Sequence, residues 1–390
     1  MRFKKLLAIL LFMIMSLSTL SACNDTSYIL KAGDEKFPVG PYAFYAFWMR
    51  DNSESQMQSY GQVFSDALLQ NADDQGTKLW QMIINQTKDQ YLTHLLVNKK
   101  FVELGLTLND EQKQAIETAY TDNWIGQYGQ AKFDEILKTL NLTVDQFKEV
   151  ITLQSKNDAL INYYFGAGGE NEIPESELRS KYDEGYARFK YIILAKTDAD
   201  GNQLSFDEIA TKKALADEAL AKAQGVAVTF EDIVKQYSED YVTITDTMTE
   251  AEKTSAQTQN TEATDNGLVI DKSGIFNELL YQYYNVSVDT TVVDKVFSMN
   301  IGDTAFIEIS NSFWVIKKYD ANEKEEFFAG KRDAIFNSLT QPDIQAKFTE
   351  WSSAFPYVFN EKAVSKYDPR GLESLFLNNP AATPDTTTTD

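Results

Sequence analysis

Cysteine and histidine are almost absent from this sequence, with one of each in 390 residues. An internal disulfide framework is therefore excluded, because each disulfide needs two cysteines. A structural zinc site takes four cysteine or histidine ligands, so we expect no metal. The sequence contains no Gly-rich phosphate loop and no nucleophile-elbow motif. We therefore expect no cofactor, and we interpret His94 as a structural helix residue rather than as part of a Ser/His/Asp triad.

Basic residues are also scarce, since 36 Lys and Arg stand against 58 Asp and Glu, giving a formal net charge of −22. So acidic a surface argues against binding to nucleic acid and against lying flat on anionic lipid. Hydrophobic residues make up 43% of the chain and aromatic residues 13%, which is ample for a folded core. The length predicts about two domains.

A long apolar run occurs only at the N-terminus. The basic residues Arg2, Lys4 and Lys5 precede an uncharged, mostly apolar run from Leu6 to Leu20. A membrane-spanning helix needs about 20 such residues, so this run is short for a span and typical of a signal peptide, which we assign to residues 1–22. The rest of the chain is then expected to be an extracytoplasmic soluble region.

The signal peptide ends in Leu20-Ser21-Ala22-Cys23, which resembles the lipobox of bacterial lipoproteins. The resemblance implies that Cys23 carries a diacylglyceryl group and becomes the new N-terminus, with residues 23–37 as anchor and tether. The alternative is an ordinary secreted protein with a chance cysteine. The lone cysteine at the cleavage site favours lipid attachment, and it predicts a protein held at the outer face of the cell membrane.

Residues 38–186 have the pattern of a helical domain. Apolar residues recur every three or four positions from Lys78 to Leu104, which predicts a long amphipathic helix that ends at Gly105. The aromatic residues between 42 and 48 belong to an earlier helix, and we assign them to the core rather than to a binding surface.

Capping boxes, in which a capping residue is followed three positions later by Gln or Glu, predict three more helix starts, at Asn109, Thr143 and Ser205.

Residues 187–320 differ from the region before them. The run from Phe189 to Ala195 is rich in β-formers and predicts a strand, and residues 304–319 have the pattern of a β-hairpin. Between these two segments, residues 241–266 are polar with few large apolar side chains. We predict a mobile insertion there.

Helical patterns return over 321–368, as two helices at 323–340 and 343–355 that we expect to pack on the first helices. The Pro- and Thr-rich end, 369–390, is predicted to be a disordered tail. The order along the chain is therefore helices, a small mixed unit, and helices again. The predicted fold class is α+β, with an α+β domain inserted into a helical domain built from both chain ends.

Several segments resemble those of the PrsA/SurA group of extracytoplasmic foldases. They are ELGL (103–106), FKYIIL (189–194), TFEDIVKQYSED (229–240), NGLVIDKSGIF (266–276), VFSMNIGDTAFIEI (296–309) and FWVIKKYD (313–320). The resemblance implies a SurA-N-like helical chaperone domain with an inserted parvulin-type prolyl isomerase domain. It also implies that the partners are unfolded or newly exported polypeptides.

The same resemblance marks five positions of a parvulin-type cleft. Tyr191 and Trp314 occupy the positions of the two usual histidines, and Asp240 occupies the acidic position. Val292 and Phe297 fall where the apolar pocket for the proline ring is expected. Other interpretations remain open, since Tyr191 and Trp314 are also consistent with two strand aromatics that pack together, and Asp240 with a residue that caps or solvates a helix end.

Two functions of different classes follow from the resemblance. One is a lipid-anchored chaperone or foldase whose parvulin-type histidines are replaced, and the other is an active peptidyl-prolyl isomerase that uses Asp240. A third interpretation is a solute-binding lipoprotein. The long helical first half argues against that third class, whose members have repeated strand–helix units.

Overall fold

A computed structural model describes residues 25–198, 201–272 and 290–377. The predicted signal peptide, Cys23 and the last residues of the predicted tail lie outside the described residues. The chain divides into two units, which we call the helical unit (described residues 25–172 and 340–377) and the inserted unit (173–339). Within the described ranges, no helix combines the length and apolar character that crossing a membrane requires.

The helical unit begins with a β-hairpin that is followed by a series of helices. The elements are β1 (Tyr28–Ala32), β2 (Glu35–Pro38), α1 (Val39–Ser59), α2 (Asp66–Leu69), α3 (Leu79–Glu103), α4 (Asp110–Thr118), a π-helix (Ala119–Ile125), α5 (Gly126–Tyr128), α6 (Gln130–Leu140), α7 (Val144–Ile151) and α8 (Leu153–Phe165). Side chains of Asn109 and Thr143 accept from the backbone N–H groups three residues later, as the capping boxes predict. The long predicted helix is present as α3, and Gly105 has the positive φ of a helix end.

The core of the helical unit is aromatic. Tyr42, Phe44 and Tyr45 of α1 are at most 5% exposed and lie in the core as predicted, whereas Phe47 is half-buried and Trp48 is 38% exposed, so the prediction is wrong for Trp48. The rings of Trp124 and Phe147 pack edge to face with centroids 5.0 Å apart. Aromatic pairs in this geometry add to the free energy gained by burial, and they hold the short helices together.

The inserted unit combines one antiparallel sheet with helices. Its elements are α9 (Glu175–Gly185), β3 (Tyr186–Ala195), α10 (Phe206–Gln224), α11 (Phe230–Tyr237), α12 (Glu250–Thr261), a π-helix (Glu262–Asn266), β4 (Leu268–Asp271), α13 (Thr290–Ser298), β5 (Thr304–Glu308), β6 (Ser312–Tyr319) and the first part of α14 (Glu325–Ser353). The predicted strand and hairpin are therefore present as β3, β5 and β6.

Strand β3 lies inside a sheet of order β4-β3-β6-β5, and it is buried on both faces. Tyr191 and Ile193 point to one hydrophobic cluster, while Ile192 and Leu194 point to another that includes α10 and α11. Because both faces are covered, the second half of the strand, residues 191–195, is continuously apolar rather than alternating with polar residues.

The chain returns to the helical unit within α14. The last elements are β7 (Tyr357–Phe359), α15 (Glu361–Val364) and a 3₁₀-helix (Ser365–Tyr367). Strand β7 pairs antiparallel with β1, so a three-stranded sheet of order β2-β1-β7 joins the two ends of the chain. The predicted α+β fold class, with both chain ends in the helical part, is confirmed.

Three segments differ from the sequence predictions. Residues 241–266 contain α12 rather than only irregular backbone, and the segments 323–340 and 343–355 form one helix, α14, which continues through Pro342. The first part of the tail, up to Leu377, is held against the helical unit by hydrogen bonds to Asp51 and Arg50. In each segment, contacts with other parts of the fold outweigh the local composition.

Candidate functional site

Four of the five parvulin-type positions lie in one hydrophobic cluster on one face of the larger sheet. The ring centroids of Tyr191 on β3 and Trp314 on β6 are 5.3 Å apart. Val292 on α13 is fully buried in the same cluster, and Phe297 packs against its margin. These four positions lie up to 123 residues apart in the sequence. The pairing of β3 with β6 and the packing of α13 bring them together.

Tyr191 and Trp314, which the sequence resemblance aligns with histidines, are both part of this core. Trp314 is 0% exposed and Tyr191 is 7% exposed. The indole N–H of Trp314 donates to Ser312 Oγ at 2.9 Å. Because the Trp314 ring is enclosed and its donor has an acceptor, it cannot offer a hydrogen bond to a bound peptide.

Asp240 lies on a segment that follows α11 along the edge of β3. Ser238 Oγ accepts from Ile193 N at 3.4 Å, and Glu239 N donates to Ile193 O at 3.2 Å. Glu239 Oε2 accepts from Ala195 N at 2.8 Å. These bonds hold Asp240 next to the central strand, where it is 2% exposed.

Helix α12 is fastened to the segment that carries Asp240. Gln259 Nε2 donates to the backbone carbonyl of Asp240 at 2.7 Å. The amide side chain of Asn260 accepts from Val242 N at 2.9 Å and donates to Val242 O at 2.8 Å. The insertion that composition predicts to be mobile therefore contains a helix with specific anchors on the segment that carries Asp240.

A second candidate site is a cleft of about 420 Å³ in the helical unit, where β2, α1, α3 and α7 meet. This volume lies in the range of small binding sites in proteins. Its apolar lining is Phe37, Pro38, Pro41, Leu95, Val102 and Phe355. Val102 is 74% exposed, so its side chain is accessible to a bound chain. Charged residues lie around the apolar part, namely Glu35, Lys99, Glu103 and Glu149.

No family model matches the chain, and no curated protein matches it. The chain is similar to three solved structures of foldase proteins. The PrsA structure from Streptococcus pneumoniae str. Canada MDR_19A has 14% identity and a TM-score of 0.34, with 76% of this chain and 97% of that chain covered. The PrsA structure from Bacillus subtilis has 16% identity and a TM-score of 0.23, with coverages of 79% and 94%. The PrsA structure from Lactococcus lactis has 12% identity and a TM-score of 0.32, with coverages of 87% and 98%. The likeness in fold is loose, and all three proteins carry the name of the group that the sequence segments resemble.

His94 lines the cleft. A chain of hydrogen bonds through Tyr45, Asn98 and Lys156 holds its imidazole in place. Lys156 Nζ donates to Asn98 Oδ1, so the Asn98 amide nitrogen must face His94 Nε2, which it approaches at 3.1 Å. Nε2 therefore accepts, and the ring proton is on Nδ1, which lies 3.1 Å from Tyr45 Oη. Burial, and secondarily the charge of Lys156, lowers the pKa of His94 from 6.5 to about 4.

This second candidate site, the cleft, was not predicted from the sequence. Its lining comes from positions as far apart as Phe37 and Phe355, whose rings meet edge to face at 5.8 Å. No local signal in the sequence could have indicated it, because a single exposed aliphatic residue such as Val102 is common on protein surfaces. Across the ranges that the structure describes, no three His, Cys, Asp or Glu side chains are grouped as they would be around a metal ion.

Proposed function

We propose that the chain is a lipid-anchored extracytoplasmic foldase of the chaperone class, which binds segments of newly exported polypeptide while they fold. The signal peptide and the lipobox at Cys23 support the location. The foldase-like segments of the sequence, together with the α+β unit inserted into a helical unit, support the class.

The observation that carries this proposal is the open apolar cleft of the helical unit. Phe37, Leu95, Val102 and Phe355 give it a lining that any short apolar segment can contact. The surrounding charges keep the rim hydrated and limit aggregation of the protein itself. A cleft of this kind binds many sequences weakly, which is what a chaperone of unfolded chains requires.

Val102→Asp is expected to weaken the capture of unfolded clients about fivefold. The substitution places a charge where the client would bury an aliphatic side chain, and losing that burial costs about 1 kcal/mol. The measurement is the suppression of aggregation of a denatured client protein as a function of chaperone concentration. Wild-type protein should suppress aggregation at stoichiometric amounts.

Val63→Asp is the matched control, because Val63 is 80% exposed in the same unit and does not line the cleft. This variant gains the same charge and should suppress aggregation like the wild type. Equal losses in both variants would show that net charge rather than the cleft matters. No suppression by wild-type protein at several-fold excess would count against the chaperone function itself.

A second candidate function is peptidyl-prolyl isomerisation near Asp240, favoured by the convergence of Tyr191, Trp314, Val292 and Phe297 in one cluster. Rotation about the prolyl bond needs no covalent chemistry. We expect at most weak acceleration, because the Trp314 indole N–H is enclosed and already has an acceptor. The test is exchange spectroscopy on Xaa-Pro peptides, with Asp240→Ala as the comparison. Equal exchange rates for wild type and variant would remove this candidate, whereas an acceleration that the variant loses would establish it.

A further inference from the structure

Residues 372–377, which we call the C-terminal strap, lie in a groove of the helical unit without forming a helix or strand. The groove is built by α1, the π-helix Ala119–Ile125 and α5. The strap is bound there through its backbone and one aromatic side chain.

Three side chains of the groove contact the strap backbone. One carboxylate oxygen of Asp51 accepts from Leu375 N at 3.0 Å and from Phe376 N at 2.7 Å. Arg50 Nε donates to the carbonyl of Leu372 at 3.2 Å. Tyr128 Oη donates to the carbonyl of Phe376 at 3.0 Å. Backbone groups are common to all sequences, so these contacts do not depend on which peptide lies in the groove.

One side chain of the strap is enclosed by an aromatic cage formed by Phe44, Trp48 and Trp124. The ring of Phe376 lies with its centroid 5.6 Å, 5.9 Å and 5.7 Å from those of the three cage residues. Phe376 is 7% exposed, whereas the neighbouring Leu377 is 40% exposed. The cage therefore encloses the aromatic side chain, while its neighbours Leu375 and Leu377 stay partly exposed.

We propose that this groove is a binding site for extended segments of unfolded polypeptide that carry an aromatic side chain, and that the strap occupies it until such a segment displaces it. The buried Asp51 carboxylate, 2% exposed, and the cage together form a site for a peptide rather than an ordinary helix contact. The identity of the competing segment rests on the proposed chaperone function.

Displacement is a competition between a tethered and a free ligand. A segment tethered to its own site acts at an effective concentration on the order of millimolar. A free peptide is therefore bound weakly while the strap is intact and much more tightly once the strap is weakened. The strap thus sets the concentration of unfolded chains at which the groove becomes available.

The probe is a fluorescein-labelled peptide with the sequence of residues 371–377, Gly-Leu-Glu-Ser-Leu-Phe-Leu, measured by anisotropy on the full mature chain. Phe376→Pro removes the strap ring and one N–H donor together. This variant is expected to bind the peptide at least tenfold more tightly than wild type. Adding Trp48→Ala, a residue that is 38% exposed, should abolish the gain. Glu373→Ala, an exposed strap position, is the control and should bind like the wild type.

Equal affinities of wild type and Phe376→Pro, or equal binding of a peptide in which alanine replaces the phenylalanine, would overturn the proposal. Hydrogen exchange on the wild type keeps the test independent of how the variant folds. The amide protons of Leu375 and Phe376 should exchange by local opening, faster than the core amides of α3, and saturating peptide should accelerate them. Exchange of these two amides only together with α3 would show that the strap is fixed, and it would also overturn the proposal.

The aggregation assay separates this inference from the proposed function. If wild type suppresses aggregation but the peptide does not compete for the groove, the chaperone function stands and the strap inference fails. If the peptide binds as expected but no client is protected, the peptide site stands and the chaperone function fails.

Discussion

Replacement of Arg188 by leucine is expected to lower the free energy of unfolding of the inserted unit by about 3–5 kcal/mol. Arg188 is on β3 and is 1% exposed. Its guanidinium donates to the backbone carbonyls of Asp265, Asn266 and Asp320, and it pairs with the carboxylate of Glu323. The change therefore removes the donors of several partly buried acceptors at once.

The size of this effect follows from the segments that Arg188 joins. Asp265 and Asn266 are the last residues of a π-helix, where carbonyls lack partners within the helix. Asp320 follows β6 and Glu323 precedes α14, so one side chain connects the central strand to three other elements. The ring of Phe327 also packs on the guanidinium, with 4.4 Å between its centroid and Cζ.

Urea unfolding of the full chain, followed by a probe in the inserted unit, measures the effect. Arg188→Lys should give an intermediate loss, because an ammonium keeps the charge but cannot reach all the acceptors of the planar fork. Arg332→Ala is the control, since this partly exposed arginine bridges Glu175 on the surface of the same unit and its loss should cost less than about 1 kcal/mol. A loss below 1 kcal/mol for Arg188→Leu would contradict the prediction.

Local signals in the sequence predicted much of the secondary structure. The capping boxes at Asn109, Thr143 and Ser205 all begin helices, because a cap satisfies orphan N–H groups within one turn. Helix α12 has the same signal in Thr249 and Glu252, whose side chains bond each other's backbone N–H groups. The polar composition of the segment concealed that cap, and anchoring through Gln259 and Asn260 is not visible along the chain.

Long-range contacts limited what the sequence could reveal about the site. The parvulin-type positions could be named from the resemblance, but the enclosure of Trp314 depends on the packing of β3, β6 and α13. A charged residue such as Arg188 within an apolar strand gives no indication of where its partners lie. Helix α14 also continues through Pro342, with Thr340 and Ile344 buried on either side of it, although the isolated pattern predicts a break there.

Acidification from pH 7 to pH 4 is expected to remove about 3 kcal/mol of stability from the helical unit through His94 alone. The pKa of His94 is lowered from 6.5 to about 4 in the folded chain, and each unit of difference is worth about 1.4 kcal/mol. In this window the unfolded chain binds a proton at His94 and the folded chain does not. The stability that depends on a neutral His94 is therefore fully present above pH 6.5 and is lost between pH 6.5 and pH 4. Below pH 4 the loss does not grow further.

The hydrogen-bond network explains why the folded state keeps the imidazole neutral. Protonation at Nε2 would place a second donor against the Asn98 amide, which Lys156 holds in its orientation. The new charge would also be buried, since His94 is 2% exposed, and it would be repelled by Lys156. Rotation of Asn98 to accept from His94 would in turn point its amide donors at the lysine.

Because His94 is the only histidine in the chain, its imidazole signals titrate without overlap in NMR spectra. The expected midpoint is near pH 4, and Lys156→Gln should raise it, whereas Lys132→Gln on the surface should not. The difference in unfolding free energy between wild type and the non-titrating His94→Gln should shrink by about 3 kcal/mol from pH 7 to pH 4. A midpoint at pH 6 or above, or a difference that does not change with pH, would show that the network does not exclude the proton. The cleft wall that contains His94 would then have to tolerate an imidazolium beside Lys156.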